Sequence, residues 1–253
     1  RYTMVSFVSG DYEYFLKSWF DFFRDNGFRG LANYPGDYNA AYMTILAILS
    51  YFPFDELSLI KIVSVVFVFL ALAFLLKEKY RTSFIFLGIA FSFKLQFIFI
   101  LPLYIILYIS KKQFSIFNFF LIPFVDFVMC LPAIIMGKSI RDCMLIYFLQ
   151  TGTYADKLVM NFVNIYQLIP NNVEMFYNIG KIFVLIICVF MCIYIIYKKT
   201  NFDKEKIVTL GFWFLIVITF FLPGMHERYL YVGEVLSIVY LLCYRKNIFL
   251  VLI

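Results

Sequence analysis

Long apolar runs separated by short polar breaks recur along the whole chain, and they constrain its fold more than any other feature. They cover residues 38–54, 57–76, 82–109, 115–136, 179–197, 207–223 and 229–244. Hydrophobic residues make up 64% of the 253 residues and charged residues 15%, a balance far outside that of soluble domains. Because a helix of about 20 apolar residues crosses a bilayer, we predict an all-α polytopic transmembrane helical bundle of about seven or eight spans. We expect residues 1–253 to form a single domain.

The distribution of charge indicates a membrane environment and not a nucleic-acid partner. The net charge is +6, but the basic residues flank apolar runs instead of clustering on one polar face. They include Lys111, Lys112, Lys198, Lys199, Lys204, Lys206, Arg245 and Lys246. Lysine and arginine at such positions are typical of cytoplasmic loops. We therefore predict contact with membrane lipid and no binding of nucleic acid.

The five cysteines do not indicate a metal site or a disulfide framework. They are an odd number, lie mostly within apolar runs and include no CxxC pair: Cys130, Cys143, Cys188, Cys192 and Cys243. Cysteine in this setting acts as a small buried apolar side chain. No metal and no cofactor is predicted.

The first long polar stretch, residues 9–42, gathers charged residues, glycines and a proline between apolar runs. Residues 11–25 predict an amphipathic helix that lies along the membrane surface. Its apolar face consists of Tyr12, Phe15, Leu16, Trp19, Phe22 and Phe23. Gly27 and Gly30 are predicted to end this helix, and residues 34–37 to form a turn. The alternative is an interfacial loop with no further role.

Two long polar loops, residues 1–37 and 138–178, are predicted to lie on the outer face with amphipathic helices at the membrane interface. The lysine-rich stretch 198–206 is predicted to be cytoplasmic, which puts residues 224–228 on the outer face as well. The first residues, RYTMVSFVSG, lack the basic head and the long apolar core of a signal peptide, and the last residue, Ile253, lies within an apolar run. We therefore expect a fragment that lacks an N-terminal span and later ones.

The topology of residues 38–109 is open at this stage. In one solution, 38–54 and 57–76 both span and 82–109 crosses once. In the other, which we favour, 38–54 is re-entrant and 82–93 is a half-span, so that Lys94 and Gln96 reach the outer face. A lysine that faces an outer phosphate has a reason to be there, whereas one at the midplane does not. A missing segment before Thr82 would also make the number of membrane crossings consistent with the predicted sides of the loops.

The sharpest candidate site is the segment LPGMHERYLY, residues 222–231. It contains the one histidine of the chain, His226, next to Glu227 and Arg228 at the end of a predicted span. A lone histidine is often structural, but ionisable residues at a membrane boundary of so apolar a chain indicate function. Arg228 stays charged and can bind phosphate oxygens through two hydrogen bonds.

Five motifs occur in a characteristic order. They are GDYE with Trp19 eight residues after the aspartate, YPGDYNAAY, Lys94-Leu95-Gln96 followed by Pro102, NFVNIY at 161–166, and LPGMHERY. The ordered set resembles the C-type (GT-C) polytopic glycosyltransferases, specifically the bacterial relatives of the GPI-anchor mannosyltransferases. It is more distantly similar to the dolichyl-phosphate-glucose-dependent glucosyltransferases of N-glycan assembly. The likeness covers nearly all of the chain. The family's DYPP is replaced by YPGDYN, and its span before GDYE and its stretch between Arg81 and Thr82 are missing.

The resemblance implies a GT-C-like fold and a role for each matching position. Asp11 would be the general base that takes a proton from the acceptor hydroxyl. Lys94 and the His226-Glu227-Arg228 triplet would lie near the lipid phosphate of the donor. The other matching positions would bind substrate: Tyr12, Trp19, Asp37, Gln96, Asn161 and Asn164.

This chemistry also fits what these residue types can do. Displacing polyprenyl phosphate from an anomeric carbon requires a carboxylate for the acceptor's proton and cations for the departing phosphate. Asp11 can supply the first, and Arg228 with Lys94 or His226 the second. The second carboxylate of glycoside hydrolases is not needed.

We therefore predict a membrane glycosyltransferase that moves a mannose- or glucose-type hexose from a polyprenyl-phosphate sugar, with inversion, to a hydroxyl of a lipid-linked glycan or cell-envelope polymer. It would be a multi-pass protein of the bacterial cell membrane, or of the endoplasmic reticulum membrane, with its site on the extracytoplasmic face. A transporter or flippase for a lipid-linked or anionic solute is the alternative, with Arg228, Lys94 and Asp126 along its path. Asp126 is otherwise expected to pair with a polar group of a neighbouring helix. A non-catalytic fragment is a third possibility.

Overall fold

A computed structural model describes residues 12–53, 56–153, 157–160, 163–169 and 173–244, which are almost entirely helical. For residues 56–65, 149–153, 174, 227, 228, 231, 235, 239, 242 and 243 it describes the backbone alone. The α-helices are α1 (Lys17–Asn26), α2 (Ala40–Leu49), α3 (Glu56–Leu76), α4 (Tyr80–Phe93), α5 (Leu101–Lys111), α6 (Leu121–Ile135), α7 (Ile140–Thr153), α8 (Val173–Tyr197), α9 (Lys204–Phe221) and α10 (Tyr231–Tyr244). The described strands are β1 (Val159–Met160) and β2 (Met225–His226). The predicted all-α class is therefore confirmed.

Two described helical stretches are long and apolar enough to cross a membrane, Ile116–Ile135 and Met175–Tyr197. At 1.5 Å per residue, their 20 and 23 residues span about 30 and 35 Å, which is the thickness of a bilayer's hydrocarbon core. Many of their large apolar side chains are exposed, among them Phe117, Phe120, Phe124, Ile182, Leu185, Ile186 and Phe190. Such faces are suited to lipid, because water would make their exposure costly. These two stretches support association with a membrane.

The chain divides into two compact units. Unit 1 comprises Arg1–Leu95 and Phe117–Gln150, and unit 2 comprises Gln96–Ile116 and Thr151–Ile253. In unit 1, α4 packs against both α3 and α6, and α2 packs against α1 and α6. In unit 2, α9 packs against α5, α8 and α10. Each unit has its own buried apolar side chains, such as Phe20 and Phe84 in the first and Tyr104 and Phe214 in the second.

The first predicted helix exists, but its buried face is shifted from the predicted one. A π-helical turn (Tyr12–Leu16) leads into α1, which ends at Asn26, directly before Gly27 as expected. Phe20, which was not assigned to the apolar face, is fully buried, whereas Phe15 is 51% exposed. The π-turn accounts for the exposure of Phe15, since a wider turn rotates the residues before α1 relative to those within it.

The long apolar run 82–109 is interrupted instead of forming one continuous helix. Helix α4 ends at Phe93, Lys94 is extended with φ −150° and ψ 130°, and a 3₁₀ segment (Leu95–Ile100) precedes α5. Pro102 lies in the first turn of α5, where its missing N–H costs nothing. Helix α2, at ten residues or about 15 Å, is too short to cross a bilayer by itself. The predicted topology of residues 38–109 stays a prediction.

Candidate functional site

The first-loop residues lie in unit 1 and form an aromatic cluster. Asp11, the predicted base, lies just outside the described residues, and Tyr12, which follows it, is buried. Trp19 is 5% exposed and packs its ring edge-on against Tyr38 at 5.1 Å. Asp37, on the turn that follows, is exposed. Trp19 is thus part of the packing around the predicted Tyr34–Asp37 turn.

Gly36 explains how Trp19 and this turn fit together. A Cβ atom at Gly36 would lie 3.0 Å from Cε2 of Trp19 and would overlap the terminal methyl of Met43. The turn can therefore approach the indole only because residue 36 has no side chain. The YPGD order, in which a glycine follows the proline, thus has a local packing reason in this protein.

A continuous row of aromatic rings joins the first loop to Lys94 within unit 1. Ring centroids are separated by 5.1 Å from Trp19 to Tyr38, by 5.3 Å from Tyr38 to Tyr42 and by 6.4 Å from Tyr42 to Phe93. Phe93 is the last residue of α4, and half-buried Lys94 follows it directly. Two motifs that lie about 75 residues apart in the sequence are therefore connected through packed side chains. Gln96, the third member of the Lys-x-Gln segment, is half-buried and belongs to unit 2.

Asp126 is paired with a polar side chain of another helix, as one of the two sequence-based interpretations expected. It is 3% exposed, and Nδ2 of Asn39 donates to its Oδ1 at 3.1 Å. Asn39 also caps α2, because its Oδ1 accepts from the N–H of Ala41 at 2.8 Å. The Cys130 thiol also donates to Oδ1 of Asn39, at 3.3 Å. This buried polar cluster connects α2 to α6.

A cation–π contact lies at the end of α6 in the same unit. Nζ of Lys138 is 3.6 Å from the ring centroid of Tyr34, whose hydroxyl donates to the Tyr38 carbonyl at 3.3 Å. Burial raises the pKa of the Tyr34 phenol well above its usual value, so the hydroxyl stays protonated. Burial also lowers the pKa of Lys138. The contact ties the first-loop turn to the start of the predicted loop 138–178.

In unit 2, a short parallel strand pair brings His226 to the predicted loop 138–178. Val159 pairs with Met225 and Met160 with His226, and the N–H of Gly224 donates to the Leu158 carbonyl at 2.9 Å. His226 is half-buried and lies edge-on to Tyr229 at 5.6 Å. Glu227 and Arg228 begin the 3₁₀ turn that follows, and the structure describes their backbone alone.

Asn164 lies in the same part of unit 2 and is buried, with 3% of its surface exposed. Its Oδ1 accepts from the N–H of Tyr166 at 3.0 Å and so caps the 3₁₀ turn Ile165–Leu168. Its Nδ2 finds no hydrogen-bond acceptor among the described residues. A buried amide without a partner costs about 1–3 kcal/mol. Asn161, the other predicted asparagine of this motif, lies outside the described residues.

Tyr166 fixes this turn to the end of α9. Its hydroxyl donates to the Phe221 carbonyl at 2.7 Å. A Cβ at Gly180 of α8 would overlap the Tyr166 hydroxyl and lie 3.0 Å from Cδ of Pro223. The glycine is thus required for α8, the Tyr166 turn and the segment after α9 to pack this closely.

Several residues of these clusters were not singled out from the sequence. Asn39 had a usable signal, because an asparagine directly before an apolar run predicts a helix N-cap. Lys138 and Gly180 had none, since their contacts are with residues far away in the sequence. Within the described ranges, no group of three histidine, cysteine, aspartate or glutamate side chains could hold a metal ion.

Comparison of the chain with protein-family models, with curated proteins and with solved structures found no match. The case for a function therefore depends on the residues and their contacts.

Proposed function

We propose that this protein is a polytopic, GT-C-like membrane glycosyltransferase of about seven or eight spans. It would transfer a mannose- or glucose-type hexose from a polyprenyl-phosphate sugar to a hydroxyl of a lipid-linked glycan or cell-envelope polymer. The reaction would take place at the extracytoplasmic face of a cell membrane. The proposal combines the resemblance in motif order with the packing found inside each unit.

The observation that carries the proposal is the row of rings from Trp19 to Phe93. An inverting displacement needs a proton acceptor for the incoming hydroxyl and positive charge for the departing phosphate. The loop that bears Asp11 and the lysine at 94 offer these two groups from one unit. Because packed side chains connect the two motifs, a shared role is favoured over two unrelated ones.

The strand pair of unit 2 adds a second line of support. It brings His226 and the backbone of Arg228 next to the loop that carries Asn164, and these are the positions that the resemblance assigns to the donor. A guanidinium can bind two phosphate oxygens at once and keeps its charge at every physiological pH. This segment would bind the lipid phosphate.

The proposed reaction is a single displacement. The Asp11 carboxylate takes the proton from the acceptor hydroxyl, and the hydroxyl oxygen attacks the anomeric carbon from the side opposite the phosphate. The new glycosidic bond forms as the bond from the anomeric carbon to the phosphate oxygen breaks, and the electron pair leaves with the polyprenyl phosphate. Lys94, which belongs to the same unit as the loop that bears Asp11, stabilises the charge that develops on the phosphate.

The test is transfer of sugar from radiolabelled polyprenyl-phosphate mannose or glucose in membranes that contain the protein. Asp11→Asn should lower the transfer rate by about 10²- to 10⁴-fold, the usual contribution of a general base. Asp25→Asn is the matched control, because Asp25 is an exposed aspartate of α1 and should tolerate the same change. Equal activity of Asp11→Asn and wild type would rule out Asp11 as the base.

Two further variants separate binding of the donor from chemistry. Arg228→Gln and Lys94→Met should raise the KM for the donor, and should also lower kcat if they act on the developing phosphate charge. The anomeric configuration of the product, measured by NMR, should be inverted. Retention of configuration would contradict a single displacement.

The transporter alternative gains little from the structure. It needs Asp126 along a solute path, but Asp126 is buried and bonded to Asn39. Its contacts in unit 1 are those of a group that holds helices together.

A further inference from the structure

Two free thiols of unit 1 face each other at the junction between α6 and α7. Cys130 lies in the second half of α6 and Cys143 in the first turn of α7, and both are buried. The two thiols share a hydrogen bond. Their side chains therefore point towards each other, which is the first requirement for a disulfide bond.

A tight turn between the two helices brings these thiols together. The N–H of Lys138 donates to the Ala133 carbonyl at 3.0 Å, so the chain reverses directly after α6. The N–H of Cys143 then donates to the Ser139 carbonyl at 3.1 Å and begins α7. The short connection leaves Cys143 beside Cys130, and the backbone hydrogen bonds of the turn hold it there.

Each thiol is also held by a contact with another helix. The Cys130 thiol is 3.3 Å from Oδ1 of Asn39, so its single proton has two acceptors within reach, this oxygen and the sulfur of Cys143. Tyr147, one turn after Cys143 on α7, donates its hydroxyl to the Phe91 carbonyl of α4 at 2.7 Å. The pair is thus built into the packing of unit 1.

Of the two thiols, Cys143 is the better placed to ionise. The hydrogen bond from Cys130 lowers the pKa of Cys143 more than burial raises it, and the positive charge of Lys138 lowers it as well. Smaller opposing effects come from the carboxylates of Asp142 and Asp126. The four residues before Cys143 are exposed, so its sulfur lies one helical turn from the surface.

We propose that Cys130 and Cys143 are a redox-active dithiol, which a peroxide converts to a disulfide between α6 and α7. The Cys143 sulfur attacks one peroxide oxygen, the O–O bond breaks, and the released hydroxide takes the Cys143 proton to become water. The Cys130 sulfur then attacks the sulfenic acid formed on Cys143. The S–O bond breaks, and the second hydroxide leaves with the Cys130 proton as water. The two thiols lose two electrons in all, and one peroxide gains them.

The position of the pair suits a small oxidant. Both sulfurs are buried, so a bulky reagent or a second protein is kept away, whereas hydrogen peroxide is close to water in size. Cys143 lies at the start of the predicted outer loop 138–178, and extracytoplasmic compartments are oxidising. The disulfide would fix the start of that loop to α6 and take the Cys130 proton away from Asn39. None of these steps depends on the proposed glycosyltransferase activity.

The test maps disulfides after the reduced, purified chain has been treated with hydrogen peroxide in detergent micelles. The protein is then unfolded, its remaining thiols are alkylated, and its peptides are identified by mass spectrometry without reduction. We expect a reducible link between Cys130 and Cys143, whereas Cys188 and Cys192 of α8 remain alkylated. Cys192 is the most exposed of these four, so unselective oxidation would modify it first. Cys188→Ser is the control variant and should leave the yield of the link unchanged.

Four variants assign the role of each group. Cys143→Ser should abolish the link and leave Cys130 as a free thiol. Cys130→Ser should stop the reaction at the sulfenic acid of Cys143, which dimedone traps. Lys138→Met should slow the oxidation several-fold, because the cation that favours the thiolate is lost, and Lys138→Arg should restore the rate.

Three results would overturn the proposal. The first is wild-type protein in which peroxide leaves both Cys130 and Cys143 free for alkylation, a result that needs no variant to fold. The second is oxidation of Cys192 at the same rate as the pair, which would show that the pair has no special reactivity. The third is oxidation of Cys130 at the wild-type rate in Cys143→Ser, because the first step requires the Cys143 sulfur.

Discussion

Removing the Asn39 side chain should destabilise unit 1 more than most single substitutions, because one amide serves two structural tasks. In Asn39→Ala, helix α2 loses its N-cap, which costs about 1 kcal/mol. Asp126 loses the hydrogen bond from Asn39, and a hydrogen bond to a charged group contributes about 1.5–3 kcal/mol. The expected loss in the free energy of unfolding is therefore about 3 kcal/mol.

A second variant divides that loss into its parts. Serine can still cap a helix but is too short to reach Asp126, so Asn39→Ser should lose about 2 kcal/mol. In an Asp126→Ala background, Asn39→Ala should cost about 1 kcal/mol, since only the cap and the weak hydrogen bond from the Cys130 thiol remain to be lost. The difference between the two backgrounds is the coupling energy of the pair.

The assay is thermal and denaturant unfolding of the purified protein in detergent micelles. For a chain of this length, 3 kcal/mol corresponds to a fall in Tm of about 6–12 °C. Asn201→Ala is the control, because Asn201 is exposed and its loss should change stability by less than about 0.5 kcal/mol. An Asn39→Ala cost that is the same with and without Asp126 would show that the pair contributes nothing, and would refute the reasoning.

Three further outcomes are expected. Gly180→Ala should destabilise the protein by about 1–3 kcal/mol in the same unfolding assay, since the new methyl group overlaps the Tyr166 hydroxyl. Gly211→Ala is the control, because a Cβ atom at Gly211 makes only ordinary contacts. Equal effects of the two substitutions would refute the predicted clash. Lys138→Met should cost about 0.5–2 kcal/mol through the lost contact with Tyr34, and Lys138→Arg should restore most of it. Burial lowers the pKa of Lys138, so between that lowered pKa and the ordinary value near 10.5 the unfolded chain binds more protons than the folded one. The free energy of unfolding should therefore rise with pH in this range. Lys138→Met should reduce that rise.

Local features of the chain were predicted well because they depend on neighbours in the sequence. The apolar runs became helices, since a backbone surrounded by apolar side chains must satisfy its own hydrogen bonds. The end of α1 before Gly27 and the break beside Lys94 follow from single residues that interrupt a run. The apolar face was misjudged at Phe15, because a periodicity of 3.6 residues does not anticipate a π-turn, and the burial of Phe20 was missed.

The contacts that define the candidate site were beyond the reach of sequence patterns. Asn39 meets Asp126 and Met160 meets His226 across long stretches of chain, and each pairing was selected by how whole helices pack. Residue types alone showed which groups could do chemistry, since charge and hydrogen-bonding capacity belong to the side chain. Only the tertiary structure decided which of them have a partner and which, like Nδ2 of Asn164, have no hydrogen-bond acceptor among the described residues. The reason is physical: a side chain carries its chemistry with it, but its partners come from the packing of the whole fold.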